Sequence, residues 1–344
     1  MLLRSIGILL LACVSGMAQS LRSINDMVAT VRGGLQQNLS DSQIARSLRR
    51  IRLAERLDDR TVETLESEGA GPRTMEELMR LRDASSHMPL PLAPAIEEPP
   101  PPSPEEQQRT WLAATANAIN YSESLPDFIC SEVVRRYKDP TGKESFRLSD
   151  TLVIRLTYFE HKEDYKLLTV NNRSTWLSYE QTSGAITEGE FGSMLVSIFA
   201  PSSQTAYRWD HWTTLRGRPA SVYFFRIAAS NSSYRMTVGT NAGDRRATTA
   251  GQHGYVYVDR DSNMVVRIAA TADSIPPDFP VQKAITELDY GFTEVGGRQY
   301  LLPLHAATRL DAPPFQHRNE VDFLAYRKFS ADATITFGDT PAKK

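Results

Sequence analysis

No phenylalanine, tyrosine or tryptophan occurs before Trp111, so every aromatic side chain of this 344-residue chain lies in its later part. The segment ahead of Trp111 therefore lacks the side chains that bury most area, and any core it builds rests on narrow aliphatic stripes. Cysteine is nearly absent as well. Cys13 and Cys130 are the only two, and cleavage of a leader after residue 18 would leave Cys130 alone, which excludes an internal disulfide. Beside Phe128 and Ile129 that thiol reads as a small buried hydrophobe, with a reactive or intermolecularly paired thiol as the alternative. Net charge is low, at −2, which gives no general attraction to nucleic acid, and no nucleic-acid partner is expected. Beyond the first residues no apolar run approaches the roughly 20 residues that span a bilayer, so the mature chain is not expected to be integral in the membrane.

The start of the chain reads as an export signal over residues 1–18. Arg4 gives a charged beginning, Ile6 to Val14 is a short apolar run, and Gly16, Met17 and Ala18 place small residues before Gln19. A second reading competes with it. Leu10, Leu11, Ala12 and Cys13 resemble a lipobox, in which Cys13 would carry a lipid anchor. Leu11 is a less usual occupant of that motif, whereas Gly16 to Ala18 fits the ordinary cleavage rule. Both readings export the protein to the periplasm or the extracellular space.

Residues 21–87 carry short helical patterns. Ser40 with Gln43 and Thr74 with Glu77 have capping-box spacing, Asp58 or Asp59 is placed to cap a helix between them, and Gly69 and Gly71 end it. Ile44, Leu48 and Ile51 mark one thin apolar stripe, and Leu78 and Leu81 another. A region so poor in large side chains is expected to bury little by itself and to make contact with an envelope protein. Arg49, Arg50 and Arg52 read as a solvated face. Residues 88–104 form a Pro-rich linker, with eight prolines from Pro89 to Pro104, a composition that favours extended polyproline backbone over a core. Pro104, Glu105 and Glu106 then open a helix through Trp111, Leu112 and Ile119.

From there to about residue 340 the period changes to two. Leu152, Ile154, Leu156 and Tyr158 alternate with Val153, Arg155, Thr157 and Phe159, and Ala284, Leu288, Tyr290 and Phe292 recur in the same way. Leu302, Leu304 and Ala306 share a face, as do Val321, Phe323 and Ala325. Further strands are expected near residues 128–137, 165–170, 207–215, 222–227, 254–258, 265–270 and 334–337. Many strands joined by short polar turns define an antiparallel meander in an α+β domain over residues 105–340. One helix interrupts it: Thr187 and Glu190 have capping-box spacing, and Phe191, Met194, Leu195 and Ile198 fall on one face until Pro201. Such a helix is expected to cover one face of the sheet. The stretch from Thr240 to Gln252, rich in Gly, Thr and Ala, reads as a long loop.

Gly254 to Val258, the acidic turn Asp259, Arg260, Asp261, Ser262 and Asn263, and the returning strand Met264 to Ile268 form a hairpin similar to one in the periplasmic lipoprotein-carrier family, the LolA-like half-barrels. The order of elements resembles that family from about Pro104 to Gly338: a helix, a curved antiparallel sheet, and helices on its concave face. Leu125 to Cys130 and Arg135, Arg136 and Tyr137 resemble an uncharacterised group of exported acidobacterial proteins. The first resemblance implies a cavity that accepts acyl chains, and so a lipid or lipoprotein ligand. Phe191, Leu195, Ile198, Tyr223 and Phe225 would line it; an ordinary packed core is the alternative.

Catalytic chemistry has little support. His87, His161, His211, His253, His305 and His317 show no zinc-ligand spacing, and neither metal nor cofactor is expected. Asp210 and His211 are adjacent on an expected strand and should point to opposite faces. His305 should face away from Leu304 and Ala306, beside Arg309. Ser193 lacks a nucleophile-elbow frame, and Asp127, Glu132 and Asp150 read as solvated carboxylates. Taken with the resemblance, which implies the lipid-like or lipoprotein ligand, the leading expectation is a non-enzymatic envelope protein that binds it. An interaction or scaffold module without small ligand is the alternative, and a hydrolase whose site assembles from dispersed residues is a third.

Overall fold

The computed structural model describes residues 21–91, 100–142, 145–182, 191–238 and 246–329. The expected signal peptide with Cys13, the stretch 92–99 of the Pro-rich segment, the pair Thr187 and Glu190, and the strand expected at 334–337 lie outside those residues. The chain divides into two compact units, Met1–Glu98 with Thr213–Gly217, and Pro99–Trp212 with Arg218–Lys344.

In the first unit β1 (Leu21–Arg22) pairs in parallel with β2 (Arg52–Leu53), and the helices are α1 (Ile24–Gln36), α2 (Asp41–Leu48), α3 (Asp59–Ser67) and α4 (Pro72–Ala84). Met27, Val31, Ile44, Leu48, Leu65, Leu78 and Leu81 are buried together. The expectation of little burial is thereby corrected: each stripe is thin, but four helices pool theirs at one centre. Ser40 and Gln43 make the expected capping box, and Asp58 caps α3 by accepting from the Thr61 N–H at 2.8 Å. Thr74 does not cap, because it lies inside α4, whose N-cap is Gly71 followed by Pro72. Asp41 of α2 supplies the missing acceptor instead. Its carboxylate takes the N–H groups of Arg73 at 2.8 Å and Thr74 at 2.9 Å, and the Thr74 hydroxyl at 2.7 Å. A Cβ on Gly71 would stand 2.6 Å from Asp41 Cγ, so glycine is what lets that carboxylate approach. Asp41→Ala is expected to lower stability by about 1 kcal/mol, the usual effect of losing a cap, read as a shift of the denaturant midpoint.

The second unit is built on an antiparallel sheet of eleven strands in the order β6-β5-β4-β3-β15-β14-β13-β12-β11-β8-β7. The strands are β3 (Phe128–Asp139), β4 (Arg147–Phe159), β5 (Lys162–Val170), β6 (Arg173–Ser174), β7 (Ala206–Leu215), β8 (Arg218–Ile227), β11 (Gly251–Asp259), β12 (Val265–Asp273), β13 (Lys283–Val295), β14 (Arg298–Ala312) and β15 (Phe315–Lys328). The sheet is curved, with covering helices, an α+β architecture of half-barrel type. It is two meanders rather than one. β3 to β6 run outward to one edge, β7, β8 and β11 to β15 return from the other, and the last strand closes on the first through the β3–β15 pair. Between β6 and β7 the chain must therefore pass from one edge to the other, ten strand spacings or about 48 Å along the sheet. That crossing carries α7 (Ser193–Phe199). Helices α5 (Pro104–Ile119) and α6 (Tyr121–Ser124) precede β3.

β9 (Arg235–Val238) and β10 (Arg246–Thr249) form a separate hairpin. The long loop expected from Thr240 to Gln252 is corrected accordingly, since its later residues are strand and Gly251 already belongs to β11. Threonine-rich sequence read as loop is equally good edge strand.

The hairpin between β11 and β12 is fixed by its first aspartate. Asp259 is fully buried and accepts Arg218 Nε and Nη2 at 2.6 and 2.9 Å, together with the Ser262 N–H and hydroxyl at 2.9 and 2.7 Å. Asn117 of α5 donates to the Ser262 and Asn263 carbonyls at 3.2 and 3.0 Å. The acidic turn thus joins α5 to the β11–β12 hairpin of the sheet.

Candidate ligand-facing surface

Cross-strand partners sort the sheet into rows. One row runs Tyr223, Val256, Ile268, Leu288, Ala306, Val321, Val134 and Leu152 from β8 to β4, and every member is buried. The ring contacts of α5, α6 and α7 fall on this face. Trp111 of α5 stacks on Tyr207 at 4.1 Å and meets Phe199 of α7 at 4.9 Å and Tyr223 at 5.5 Å. Tyr121 of α6 meets Tyr290 edge-on at 5.6 Å and donates its hydroxyl to the Leu301 carbonyl at 2.9 Å.

All five residues expected to line a cavity are buried: Phe191, Leu195, Ile198, Tyr223 and Phe225. They belong to two neighbourhoods rather than one. Phe191 lies among Phe128 at 5.2 Å, Phe323 at 5.5 Å and Tyr158 at 6.3 Å, over β3, β4 and β15. Tyr223 and Phe225 stand on β8, five strands from β15, where Trp111 meets Tyr223 at 5.5 Å and Tyr207 lies edge-on to it at 6.4 Å. The helix carrying Leu195 and Ile198 connects the two. Burial pushes the Tyr223 hydroxyl up to about 12, as expected where apolar surface replaces water.

Gly192, at the head of α7, has φ 134°, and a Cβ there would stand 2.2 Å from the Ser122 hydroxyl oxygen. That hydroxyl donates to the Phe191 carbonyl at 3.1 Å. Pro201 follows at the other end of the helix.

The sequence pattern missed most of this surface. Trp111, Tyr121, Phe128, Tyr158, Tyr207 and Tyr290 were visible as alternating or helical aromatics, but nothing local said that they converge. Two alternations fail for a physical reason. β14 bulges where Asp289 pairs with His305 but Tyr290 pairs with Pro303, leaving Leu304 as the extra residue. β15 is irregular between Leu324 and Arg327, where Ala325 takes φ 55° and turns to solvent. Tyr326 then reaches Phe128 at 5.4 Å and donates to the Pro303 carbonyl at 2.7 Å.

The carboxylates also differ from expectation. Glu132 is buried on the helix-covered face as the partner of Phe323. Asp150 receives a bidentate pair from Arg136 at 2.7 and 2.6 Å, and Asp127 accepts the Glu160 N–H at 3.0 Å. Strand alternation places such residues by register and not by polarity. Cys130 is buried, and burial pushes its thiol well above the ordinary range.

The opposite face holds a second row: Val222, Tyr257, Arg267, Asp289, His305, Asp322 and Val133. Arg267 and Asp289 are both buried and paired at 2.6 and 2.9 Å. His305 faces away from Ala306 as expected, but its partners are acidic: Asp289 and Asp322 stand directly opposite on its two neighbours. Its Nδ1 donates to Asp322 Oδ1 at 2.9 Å, and Arg135 takes Asp322 Oδ2 at 2.5 Å.

Two further histidines lie beside carboxylates. His253 Nδ1 is 2.8 Å from Asp273, which Arg226 approaches at 3.5 Å. His211 Nδ1 is 2.8 Å from Asp210, which Arg208 binds at 2.9 Å. The expectation that Asp210 and His211 cannot meet is corrected. Nδ1 is the ring nitrogen nearest the backbone, so a short carboxylate one residue away reaches it along an edge strand. These three histidines occupy β14, β11 and β7, separate strands of one sheet. Among the described residues no group of three or more His, Cys, Asp or Glu side chains could hold a metal ion.

Burial lowers the His305 pKa, but the Asp322 hydrogen bond and the charges of Asp322, Asp289 and Glu287 outweigh it, and the net direction is upward. The His305 bond drives Asp322 down to about 2; burial opposes this and Arg135 adds to it. A raised histidine contributes stability that is complete below its ordinary value of about 6.5 and is lost as pH rises through the higher folded value. The lowered Asp322 contributes above about 4 and fades as pH falls toward 2. The pair is partly exposed, at 38% and 30%, so solvent screens it and the effect is modest. Urea midpoints at pH 6 and pH 8 are expected to fall for the parent and to change less for His305→Gln. Parallel behaviour of the two would show that the pair contributes nothing.

These features define a class by architecture: a curved eleven-stranded antiparallel sheet, one face covered by helices through aromatic contacts and the other carrying rows of ion pairs. Solved structures to which this chain is similar include a LolA superfamily protein from Nitrosomonas europaea, at 8% identity and TM-score 0.28 over 65% of this chain and 94% of that one. A DUF1329 family protein from Desulfovibrio piger matches at 10% identity and TM-score 0.30, over 67% and 94%. A domain from Vibrio parahaemolyticus named for outer membrane lipoprotein sorting matches at 12% and 0.30, over 65% and 92%. The likeness is one of architecture. No family model and no curated protein matches the chain, and no helix among the described residues is long and apolar enough to cross a membrane.

Proposed function

We propose that this is an exported cell-envelope protein that binds a lipid-like ligand, a free acyl chain or that of a lipoprotein, on the helix-covered face of its sheet. The observation that supports this reading is α7. It is a seven-residue helix, far too short to persist alone. A glycine with positive φ and a proline bracket it, and Phe191 just ahead of it is buried with its own Leu195 and Ile198. Displacing it would leave an apolar channel between Tyr223 and Phe225 at one end and Phe128 and Phe323 at the other. Binding then needs no catalytic group. The first residues would export the chain, and the N-terminal helices would contact another envelope protein.

The test is native mass spectrometry of the exported protein with lipid extraction, followed by titration with a fluorescent fatty acid. Expected are a co-purifying acyl species near one-to-one and saturable uptake. A clean apo mass with no uptake by folded protein would overturn the proposal. The aromatic contacts at 4.1–5.5 Å around Trp111 favour a second reading, an interaction module with a filled core, and that same negative result would support it.

A further inference from the structure

We infer that the outer edge of the sheet at β7 is a polyproline-recognition surface, and that its occupant is this chain's own Pro100–Pro102 segment. A run of prolines presents carbonyl acceptors and apolar rings but no N–H donors, so whatever recognises it must supply donors beside aromatic surface. That chemistry is present here. The Trp212 indole N–H donates to the Pro100 carbonyl at 3.0 Å, and the Gln107 side-chain amide donates to the Pro102 carbonyl at 2.9 Å. Two carbonyls two residues apart are thus each met by a donor.

The tryptophan is itself held. Arg260 lies 4.3 Å over its ring, and Trp209 meets it edge-on at 5.5 Å. Pro102 is buried while Pro100 and Pro101 are exposed, as expected for a threefold helix laid with one edge against a surface. Ser103 continues the extended course at φ −60° and ψ 155°, then caps α5 through the Glu106 N–H at 3.2 Å. Consecutive prolines are already confined to this backbone, so docking costs little conformational entropy. The inference goes beyond the ligand proposal, since it concerns the sheet edge and stands or falls without α7.

The four tryptophans provide the test in the full chain. Trp176, fully exposed, is an internal reference for indole N–H exchange with solvent. Trp212 is expected to exchange about fivefold more slowly, the factor for a net hydrogen bond near 1 kcal/mol. Replacing Pro100, Pro101 and Pro102 with Gly, Ser and Gly should bring Trp212 to the Trp176 rate, and adding a synthetic decaproline peptide should slow it again. Equal exchange in parent and variant, or a folded variant whose Trp212 signal ignores the peptide, would overturn the inference. Should the triple variant not fold, a nitroxide on P101C in a C13S background carries the test, since Cys130 is buried. Its spectrum should be immobilised in the otherwise unchanged chain and mobile with W212F; identical spectra would overturn the assignment.

Discussion

Asp289→Ala is expected to destabilise the protein by about 3–5 kcal/mol, the cost of removing one partner from a buried ion pair. The carboxylate is buried on the face opposite the helices and accepts from Nε and Nη2 of the equally buried Arg267. Truncating it leaves a guanidinium that lost its solvent on folding and now has lost its counter-charge. Glu287, 3.8 Å from Arg267 Nε, still faces the guanidinium, which places the loss toward the lower end of that range. The pair itself need not stabilise the fold. Replacing both members with leucine should recover most of the loss, because the desolvation of two charges disappears along with their attraction. Chemical denaturation of the two single variants and the double variant closes the cycle. A single-variant loss below about 1 kcal/mol would mean that water reaches the pair. Asp289 is also one of the two carboxylates opposite His305, so its removal should weaken the upward shift of that imidazole, readable by NMR titration.

This row marks where legibility in the sequence ended. Alternation told which residues of β13 share a face, and the structure pairs Leu288 with Ala306 on that basis. The same alternation puts Asp289, His305 and Asp322 on the other face, but nothing in it pairs them; His305 was expected beside Arg309. Their charges become a ladder only because β12, β13, β14, β15 and β3 are neighbours in a particular register, and register across strands distant in sequence has no local signature. The β3–β15 pair shows the same limit. Each strand was visible, but that the last closes on the first, and so sends α7 across the sheet, follows from the packing of the whole and not from any window of residues. Bulges at Leu304 and Ala325 shifted side chains that strict period two had placed. Capping in the N-terminal helices shows the contrast. Ser40 and Asp58 act on backbone a few residues away and were legible, whereas Asp41 caps a helix that begins some thirty residues later.

Phe191 is the site residue whose replacement separates packing from function most sharply. It is buried among Phe128, Tyr158 and Phe323, and truncation to alanine removes aromatic contacts and opens a cavity, a combination that costs about 3–5 kcal/mol in a rigid core. Here the cost has a ceiling. α7 is held by its apolar side chains, by the Ser122 hydroxyl on the Phe191 carbonyl, by the Ser203 hydroxyl on the Ser197 carbonyl at 2.7 Å, and by the Thr205 hydroxyl on the Ile198 carbonyl. Once the core penalty exceeds the free energy of lifting the helix, the helix lifts and the loss stops growing. Phe191→Ala is therefore expected to cost about 3 kcal/mol globally, at the low end for such a truncation, while the Val196 and Ala200 amides that close α7 lose hydrogen-exchange protection before those of β3 and β15 do. If lifting α7 is also how an acyl chain enters, the same variant should take up a fluorescent fatty acid faster than the parent. A loss near 5 kcal/mol with uniform loss of protection would instead mean that α7 is part of one cooperative core, and the route for a ligand would have to lie elsewhere on the sheet.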